Sequence, residues 1–206
     1  MSAWGEFRQL DRGVWSIALA SLVNRMGAMV QPFLLLYLNR HLHFDLVLAG
    51  QIASLFGVGS LVASPLGGFL ADRYDCGRAL AVALLLAGLT YMSFPAFSLP
   101  WQLAILTFTG ALFAEIVRPF MLTSLSRLTE GTDSRPAYSL NYVAINLGMS
   151  IGPTLGGYLA VAHYNWLFWV DGASSLLAAA VIWGSGVSCP RPLREASHQE
   201  QSVLQL

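Results

Sequence analysis

Charged side chains are scarce in this chain of 206 residues. They make up 11% of it, whereas a typical soluble domain contains about 25%. Hydrophobic residues make up 55%, and the mean hydropathy is +0.58. A soluble fold of this length needs more charge to cover its surface, so the composition excludes an ordinary soluble protein. The formal net charge of zero leaves no basic stripe for phosphates, which argues against nucleic acid as a partner.

Reactive and metal-binding side chains are also few. The two cysteines, Cys76 and Cys189, are far apart in sequence and are most simply interpreted as reduced thiols. His41 and His43, with Asp45 nearby, form only a weak metal motif in a predicted loop. No lysine is present, so a glycine-rich phosphate loop with its lysine is absent. We therefore predict a protein that is not an enzyme and that requires no metal or cofactor.

Long apolar runs dominate what is present. A membrane-spanning helix needs about 20 mostly apolar residues, and six runs reach that length. The breaks between them are short and carry turn residues or charge, so consecutive helices are expected to be antiparallel neighbours. We predict an all-α membrane protein with six transmembrane helices over 14–186, an N-terminal segment 1–13, and a tail or linker 187–206. The predicted spans are 14–38, 46–71, 78–98, 101–125, 139–162 and 165–186.

Arginine placement predicts the orientation of these spans, because cytoplasmic loops carry an excess of basic residues. Only Arg40 falls on the predicted outer side, while Arg25 and Arg118 lie within spans. The pattern predicts an integral protein of the plasma (inner) membrane with both termini in the cytoplasm. The arginines on the predicted inner side are Arg8, Arg12, Arg73, Arg78, Arg127, Arg135, Arg191 and Arg194.

A short internal repeat links the second and fifth spans. Residues 66–71 read Leu-Gly-Gly-Phe-Leu-Ala, and residues 155–160 read Leu-Gly-Gly-Tyr-Leu-Ala. Pro65 and Pro153 lie just upstream. The second span is predicted to run inward and the fifth outward, so the same element lies near opposite membrane faces. This arrangement predicts two inverted three-helix repeats, as in secondary transporters.

The loop after the second span carries a recognisable signature. It resembles the motif between the second and third helices of major facilitator superfamily transporters, roughly G-x-L-A-D-R-x-G-R-R. Asp75 stands where that family usually has glycine, and Cys76 and Gly77 stand where it usually has basic residues. The residues that match are Gly68, Leu70, Ala71, Asp72, Arg73 and Arg78.

This resemblance implies a cytoplasmic gate formed by Gly68, Asp72, Arg73 and Arg78, in which the aspartate pairs with nearby arginine. Glu130 and Asp133 lie on the same predicted side and are further candidates for that network. The alternative is ordinary solvated loop charge, which we favour for Glu130 and Asp133 but not for Asp72.

The fifth span carries a second match. Gly148, Gly152, Pro153, Gly156 and Gly157 resemble the G-x-x-x-G-P-x-x-G-G pattern of drug/proton antiporters in that superfamily. Gly148 and Gly152 share one helical face and permit close backbone packing, and the proline is expected to kink the helix. Two interpretations stay open, a tight packing seam and a role specific to antiport.

Charged residues within predicted spans need a partner or an aqueous cavity. Arg25 and Glu115 lie roughly 19 and 18 Å from the outer ends of their spans, so the two can meet. Arg118 follows one turn deeper on the face of Glu115. One interpretation is a substrate or proton site in which Glu115 titrates, tuned by Arg25 or Arg118. The other is a static buried ion pair that fixes helix packing.

Three further polar residues lie within spans. Asn24 and Gln31 of the first span are expected either to face the cavity or to form interhelical hydrogen bonds. Asp171 lies about six residues inside the outer end of the sixth span. For that carboxylate we expect contact with interfacial water or a backbone hydrogen bond.

The resemblance covers about 12–183 and implies the N-terminal six-helix half of a transporter. It implies proton-coupled efflux of small organic solutes by alternating access, with the lipid bilayer, the solute, protons and a second six-helix half as partners. A single half has an incomplete cavity. The chain is then a truncated product, a half that pairs with another chain, or a self-associating half. The alternative function is a non-transporting membrane assembly partner or an inactive fragment.

Overall fold

A computed structural model describes Phe7 and residues 10–188, and the regular secondary structure of that part is helical. Arg8, Cys189, Arg191, Arg194, His198 and the tail from 189 lie outside the described residues. The α-helices are α1 (Arg12–Gly27), α2 (Val30–Leu36), α3 (Leu46–Arg73), α4 (Cys76–Ser93), α5 (Pro100–Leu128), α6 (Arg135–Ala162) and α7 (Asn165–Gly184). A π-helical turn, Tyr37–His41, follows α2, and a 3₁₀ turn, Phe94–Ala96, follows α4.

Five helical segments in the described part are long and apolar enough to cross a membrane. They correspond to the predicted spans one, two, three, four and six. Helix α6, the predicted fifth span, has 28 residues and is long enough, but it is not among those five. Polar residues such as Asn141, Asn146 and Ser150 lower its hydropathy. The six-span prediction is therefore confirmed for five helices.

The predicted first span is not one continuous helix, which corrects the single run 14–38. Helix α1 ends at Gly27 and α2 begins at Val30. Pro32 explains part of this interruption, because proline has no N–H to donate and is tolerated only in the first turn of a helix. A Cβ built on Gly27 would collide with the side chain of Ser174 in α7, so the interruption lies tightly against that helix.

The loop between the second and third spans is shorter than the sequence predicted. Only Tyr74 and Asp75 separate α3 from α4, whereas the prediction placed the whole segment 72–77 between helices. Asp75 causes the early start of α4, because its Oδ1 accepts a hydrogen bond from the backbone N–H of Arg78 at 2.9 Å. This is an N-cap, which satisfies a donor that the helix itself leaves unpaired.

The helices form one bundle with a defined order of neighbours. The helix pairs with the most extensive contact are α3 with α5, α5 with α4, α4 with α7, α7 with α1, and α1 with α6. We name the end that carries Arg12, Arg73, Arg78 and Arg127 the basic end. At the opposite end, Phe168 stacks on Phe94 at 4.7 Å between ring centroids. Buried apolar clusters fill both ends of the bundle.

Candidate functional site

The charged residues predicted within spans lie together in the structure. Arg25 of α1 and Glu115 of α5 line one cavity of about 30 Å³, which is enough for a water molecule. Asn24 and Gln31 also line this cavity, as do Tyr91 and Asp171. The depth count from the sequence therefore placed Arg25 and Glu115 in the same region, while their functional roles stay predictions.

A larger groove opens beside this cavity, between α1, α5 and α6. Its volume is about 640 Å³, and Arg25, Glu115 and Arg118 all line it. Arg118 is exposed there, whereas Arg25 and Glu115 are half-buried. Glu115 and Arg118 face the same space because residues three apart on a helix are neighbours.

The residues that α6 contributes to this groove were not predicted from the sequence. They include Tyr138, Asn141 and Tyr142. Asn141 is 4% exposed, and its Oδ1 accepts a hydrogen bond from the Ser21 hydroxyl at 2.7 Å. Asn141 and Tyr142 lie three and four residues after Tyr138, a spacing that shares one helical face, and this was the available signal for a polar face on the fifth span.

Asp171 of α7 holds the interruption in the first span. Its carboxylate oxygen Oδ2 accepts hydrogen bonds from the backbone N–H groups of Met29 and Val30, both at 2.9 Å. Of the two roles expected for Asp171, the backbone hydrogen bond is confirmed, while its 4% exposure does not fit contact with interfacial water. Asn24 reinforces the same junction, because its Nδ2 donates to Ser175 Oγ at 3.0 Å.

The glycine motif of α6 covers this interruption from the other side. A Cβ on Gly148 would lie 2.9 Å from the carbonyl oxygen of Leu22, and one on Gly152 would lie 2.9 Å from that of Arg25. Gly156 faces the ring of Phe33, where a Cβ would lie 2.7 Å from Cε2. Since α1 and α2 lie this close to α6, the packing interpretation of the motif has direct support at these three glycines.

The other two residues of the motif lie off this seam. Pro153 is exposed, and a Cβ on Gly157 would meet open space. Packing within the described bundle therefore does not account for Pro153 or Gly157, and an antiport-specific role for the motif stays a prediction.

The predicted gate residues lie at the basic end. Asp72 and Arg78 are exposed, Gly68 faces open space, and the guanidinium carbon of Arg73 lies 4.2 Å from the centre of the Phe69 ring. Arg127, which was not among the predicted gate residues, donates from Nη2 to the carbonyl oxygen of Ala71 at 3.1 Å. The gate role of the four predicted residues stays a prediction.

The positions that depart from the family signature have structural roles. Besides capping α4, Asp75 accepts a hydrogen bond from the Ser188 hydroxyl at 2.8 Å. The buried Cys76 thiol donates to the carbonyl oxygen of Ala71 at 3.3 Å. A Cβ on Gly77 would collide with the backbone of Val187. These residues therefore anchor the loop to the end of α3 and to the segment that follows α7.

Substituting Asp75 with alanine is expected to reduce the free energy of unfolding by about 1 kcal/mol, the usual cost of losing an N-cap. Thermal unfolding of the purified chain in detergent measures this change. Asp72→Ala is the matched control, because Asp72 is exposed at the end of α3, and its effect should stay within about 0.5 kcal/mol. Equal losses for the two variants would contradict the capping role.

Comparisons with known proteins agree with this architecture. A family model described as Major Facilitator Superfamily matches residues 17–204. The uncharacterized MFS-type transporter YqjV of Bacillus subtilis is 26% identical over 185 residues, covering 89% of this chain and 42% of the relative. The multi-drug resistance efflux pump PmrA homolog of Lactococcus lactis is 25% identical over 174 residues, covering 83% of this chain and 42% of the relative.

A third relative extends the same result. Multidrug resistance protein MdtG of Salmonella typhimurium is 28% identical over 180 residues, covering 84% of this chain and 44% of the relative. The chain thus spans about two fifths of the length of these relatives. It is an integral membrane protein and belongs to the Major Facilitator Superfamily, which is a family of transporters rather than of enzymes.

Proposed function

We propose that the chain is one six-helix half of a transporter that moves small organic solutes by alternating access. The observation that carries this proposal is the groove between α1, α5 and α6, where Arg25, Glu115 and Arg118 lie along an open face of the bundle. Charged residues within spans mark solute or proton pathways in membrane proteins. A second six-helix half facing this groove completes an enclosed cavity, since such sites form between repeats.

The six helical spans are proposed to form two inverted repeats. The first repeat comprises α1 with α2, α3 and α4, and the second comprises α5, α6 and α7. The neighbour pairs support this division, because exchanging the repeats converts the pair α3–α5 into α6–α1 and the pair α4–α5 into α7–α1. The pair α4–α7 converts into itself. The order of neighbours in the bundle is therefore symmetric under the exchange.

Equivalent glycines support the same division. The first glycine of each Gly-Gly pair is buried against another span, Gly67 against α5 and Gly156 against the first span. The second glycine of each pair, Gly68 or Gly157, meets open space. The two copies of the sequence repeat thus occupy equivalent packing environments, which a chance match of five residues in six does not require.

Proton-coupled efflux across the plasma (inner) membrane is proposed as the mode of transport. Two of the relatives are named for multidrug resistance, which supports small organic compounds as the solutes. Glu115 is the proposed proton acceptor, with Arg25 or Arg118 tuning it. The basic end is proposed to face the cytoplasm, because it holds most of the described arginines while Arg40 lies at the opposite end. In that orientation both termini are cytoplasmic, and Gly68, Asp72, Arg73 and Arg78 lie at the inner gate.

A flux assay tests the proposal. The chain is reconstituted in proteoliposomes alone, and also as a fusion to the C-terminal half of the Lactococcus relative. A pH gradient is then imposed, and uptake of fluorescent aromatic dyes is followed. Gradient-driven uptake is expected for the fusion and not for the chain alone.

Two outcomes contradict the proposal in different ways. Uptake by the chain alone would remove the need for a second half. If a correctly folded fusion shows no gradient-driven uptake of any dye, the result would favour the alternative, a non-transporting assembly partner or inactive fragment.

A further inference from the structure

The interruption of the first span leaves backbone groups that depend on one side chain. Within a continuous helix the N–H groups of Met29 and Val30 would donate to the carbonyls four residues earlier. Here both donate instead to the single oxygen Oδ2 of Asp171, at 2.9 Å each. The link between Asp171 and α2 is therefore made by one carboxylate oxygen from another span.

Other ionisable side chains surround this carboxylate. Asp171 lines the cavity of about 30 Å³ together with Arg25 from α1, Tyr91 from α4 and Glu115 from α5. Helix α2 contributes the uncharged Gln31, and α6 contributes no residue that lines it within the described part. A water molecule in this cavity gives a proton a route to Asp171, which is otherwise buried.

The strength of the link depends on the charge of Asp171. Hydrogen bonds to an ionised carboxylate are roughly twice as strong as those to a neutral acceptor. A proton taken from cavity water onto the carboxylate removes its charge and weakens both backbone bonds at once. The charge is costly inside a membrane unless polar groups stabilise it. Here the two N–H groups donate to it, and Arg25 lines the same cavity.

We propose that Asp171 is a second proton-binding site, and that its protonation releases α2 from α7 at the interruption of the first span. A role for this site in transport rests on the proposed proton coupling. The proton-binding site and the release of α2 need only the residues of this chain. Glu115 lines the groove as well as the cavity, whereas Asp171 lines the cavity and not the groove. The two acids are thus assigned different tasks, solute-linked titration at Glu115 and release of the first span at Asp171.

Hydrogen–deuterium exchange measured by mass spectrometry tests this inference on the full chain in lipid nanodiscs, with no transport required. Peptides covering 26–36 are compared at pH 8 and pH 6, with peptides from α4 as the internal reference for the intrinsic pH dependence of exchange. Exchange over 26–36, relative to α4, is expected to rise at least about tenfold as the pH falls, since bonds to a charged group are being weakened.

Three variants assign the response. Asp171→Asn keeps an acceptor oxygen but is neutral at every pH, so its exchange should be independent of pH and close to the wild-type value at pH 6. Glu115→Gln should retain the wild-type response. Asp45→Asn is the matched control, because Asp45 also caps a helix, accepting from the N–H of Leu48 at 3.4 Å, but is exposed.

The outcomes decide the inference. The inference is overturned if, in the wild type, exchange over 26–36 relative to α4 does not change with pH. It is also overturned if the pH-dependent change in exchange persists in Asp171→Asn. Loss of the response in Glu115→Gln assigns the titration to that residue instead and also overturns it. If Asp171→Asn does not fold, the pH dependence of exchange in the wild type and in Glu115→Gln still tests the inference. Because no solute is involved, failure here is distinct from failure of the flux assay.

Discussion

Leucine at Gly67 or at Gly156 is expected to destabilise the bundle strongly, whereas leucine at the adjacent Gly68 or Gly157 is not. A Cβ on Gly67 would lie 2.9 Å from Ile116 Cγ1 and would collide with Pro119, both in α5. A Cβ on Gly156 would lie 2.7 Å from the Phe33 ring. Inserting a side chain into such contacts costs about 1–3 kcal/mol or more, because the helices must separate.

The second glycines provide matched controls on the same helices. Gly68 and Gly157 have open space where a Cβ would be added, and replacing helical glycine by leucine gains up to about 1 kcal/mol of helix propensity. The four variants are compared by thermal unfolding of the purified chain in one detergent. The two inverted repeats require the same result at both pairs. A large loss at Gly67 with none at Gly156 would count against the repeat equivalence.

The repeat was visible in the sequence, but its packing was not. Five identities in the six residues 66–71 and 155–160 suggest equivalent elements without stating which glycine faces a neighbour. That distinction depends on the rotation of each helix about its axis. Hydropathy does not fix this rotation in a membrane helix, because lipid-facing and helix-facing sides are both apolar.

The interruption of the first span is a second feature that the sequence alone did not predict. Residues 14–38 form one apolar run, and length with hydropathy predicts a single helix. Gly27 and Pro32 were present as local signals, but glycine and proline are both tolerated within membrane helices. The stable interruption needs Asp171, more than 140 positions later in the chain, to accept the hydrogen bonds of Met29 and Val30. Such a partner is a tertiary feature, and the sequence suggested only that the carboxylate contacts interfacial water or accepts a hydrogen bond from some backbone group.

The candidate site was predicted on two helices and missed on a third. Counting residues from the span ends placed Arg25 and Glu115 at equal depth, because helical rise is constant along an apolar helix. The face that α6 presents to the groove was not predicted, because the fifth span was interpreted from its glycine motif alone. Asn141 and Tyr138 lie about two and three turns before that motif and complete the groove.

Substituting Glu115 with glutamine in the transport-competent fusion is expected to abolish gradient-driven accumulation. Each pH unit across the membrane is worth about 1.36 kcal/mol, so exchange of one proton for one neutral solute under a gradient of two units supports an accumulation of about 100-fold. Glutamine keeps the size and hydrogen-bonding capacity of the side chain but does not carry a proton. The accumulation ratio should therefore fall to about one, while solute-for-solute exchange continues.

The same variant separates the two interpretations of the charged residues in the groove. If Glu115 is only a static partner of Arg25, glutamine lowers the unfolding temperature but leaves the accumulation ratio of the surviving folded protein near 100-fold. If Glu115 is the proton site, the ratio collapses even where unfolding is little changed. Glu130→Gln is the control, because Glu130 is an exposed carboxylate at the basic end, outside the groove. An accumulation ratio retained in Glu115→Gln and equal to that of Glu130→Gln would remove Glu115 from the proton pathway, leaving Asp171 as the remaining acid that lines the cavity.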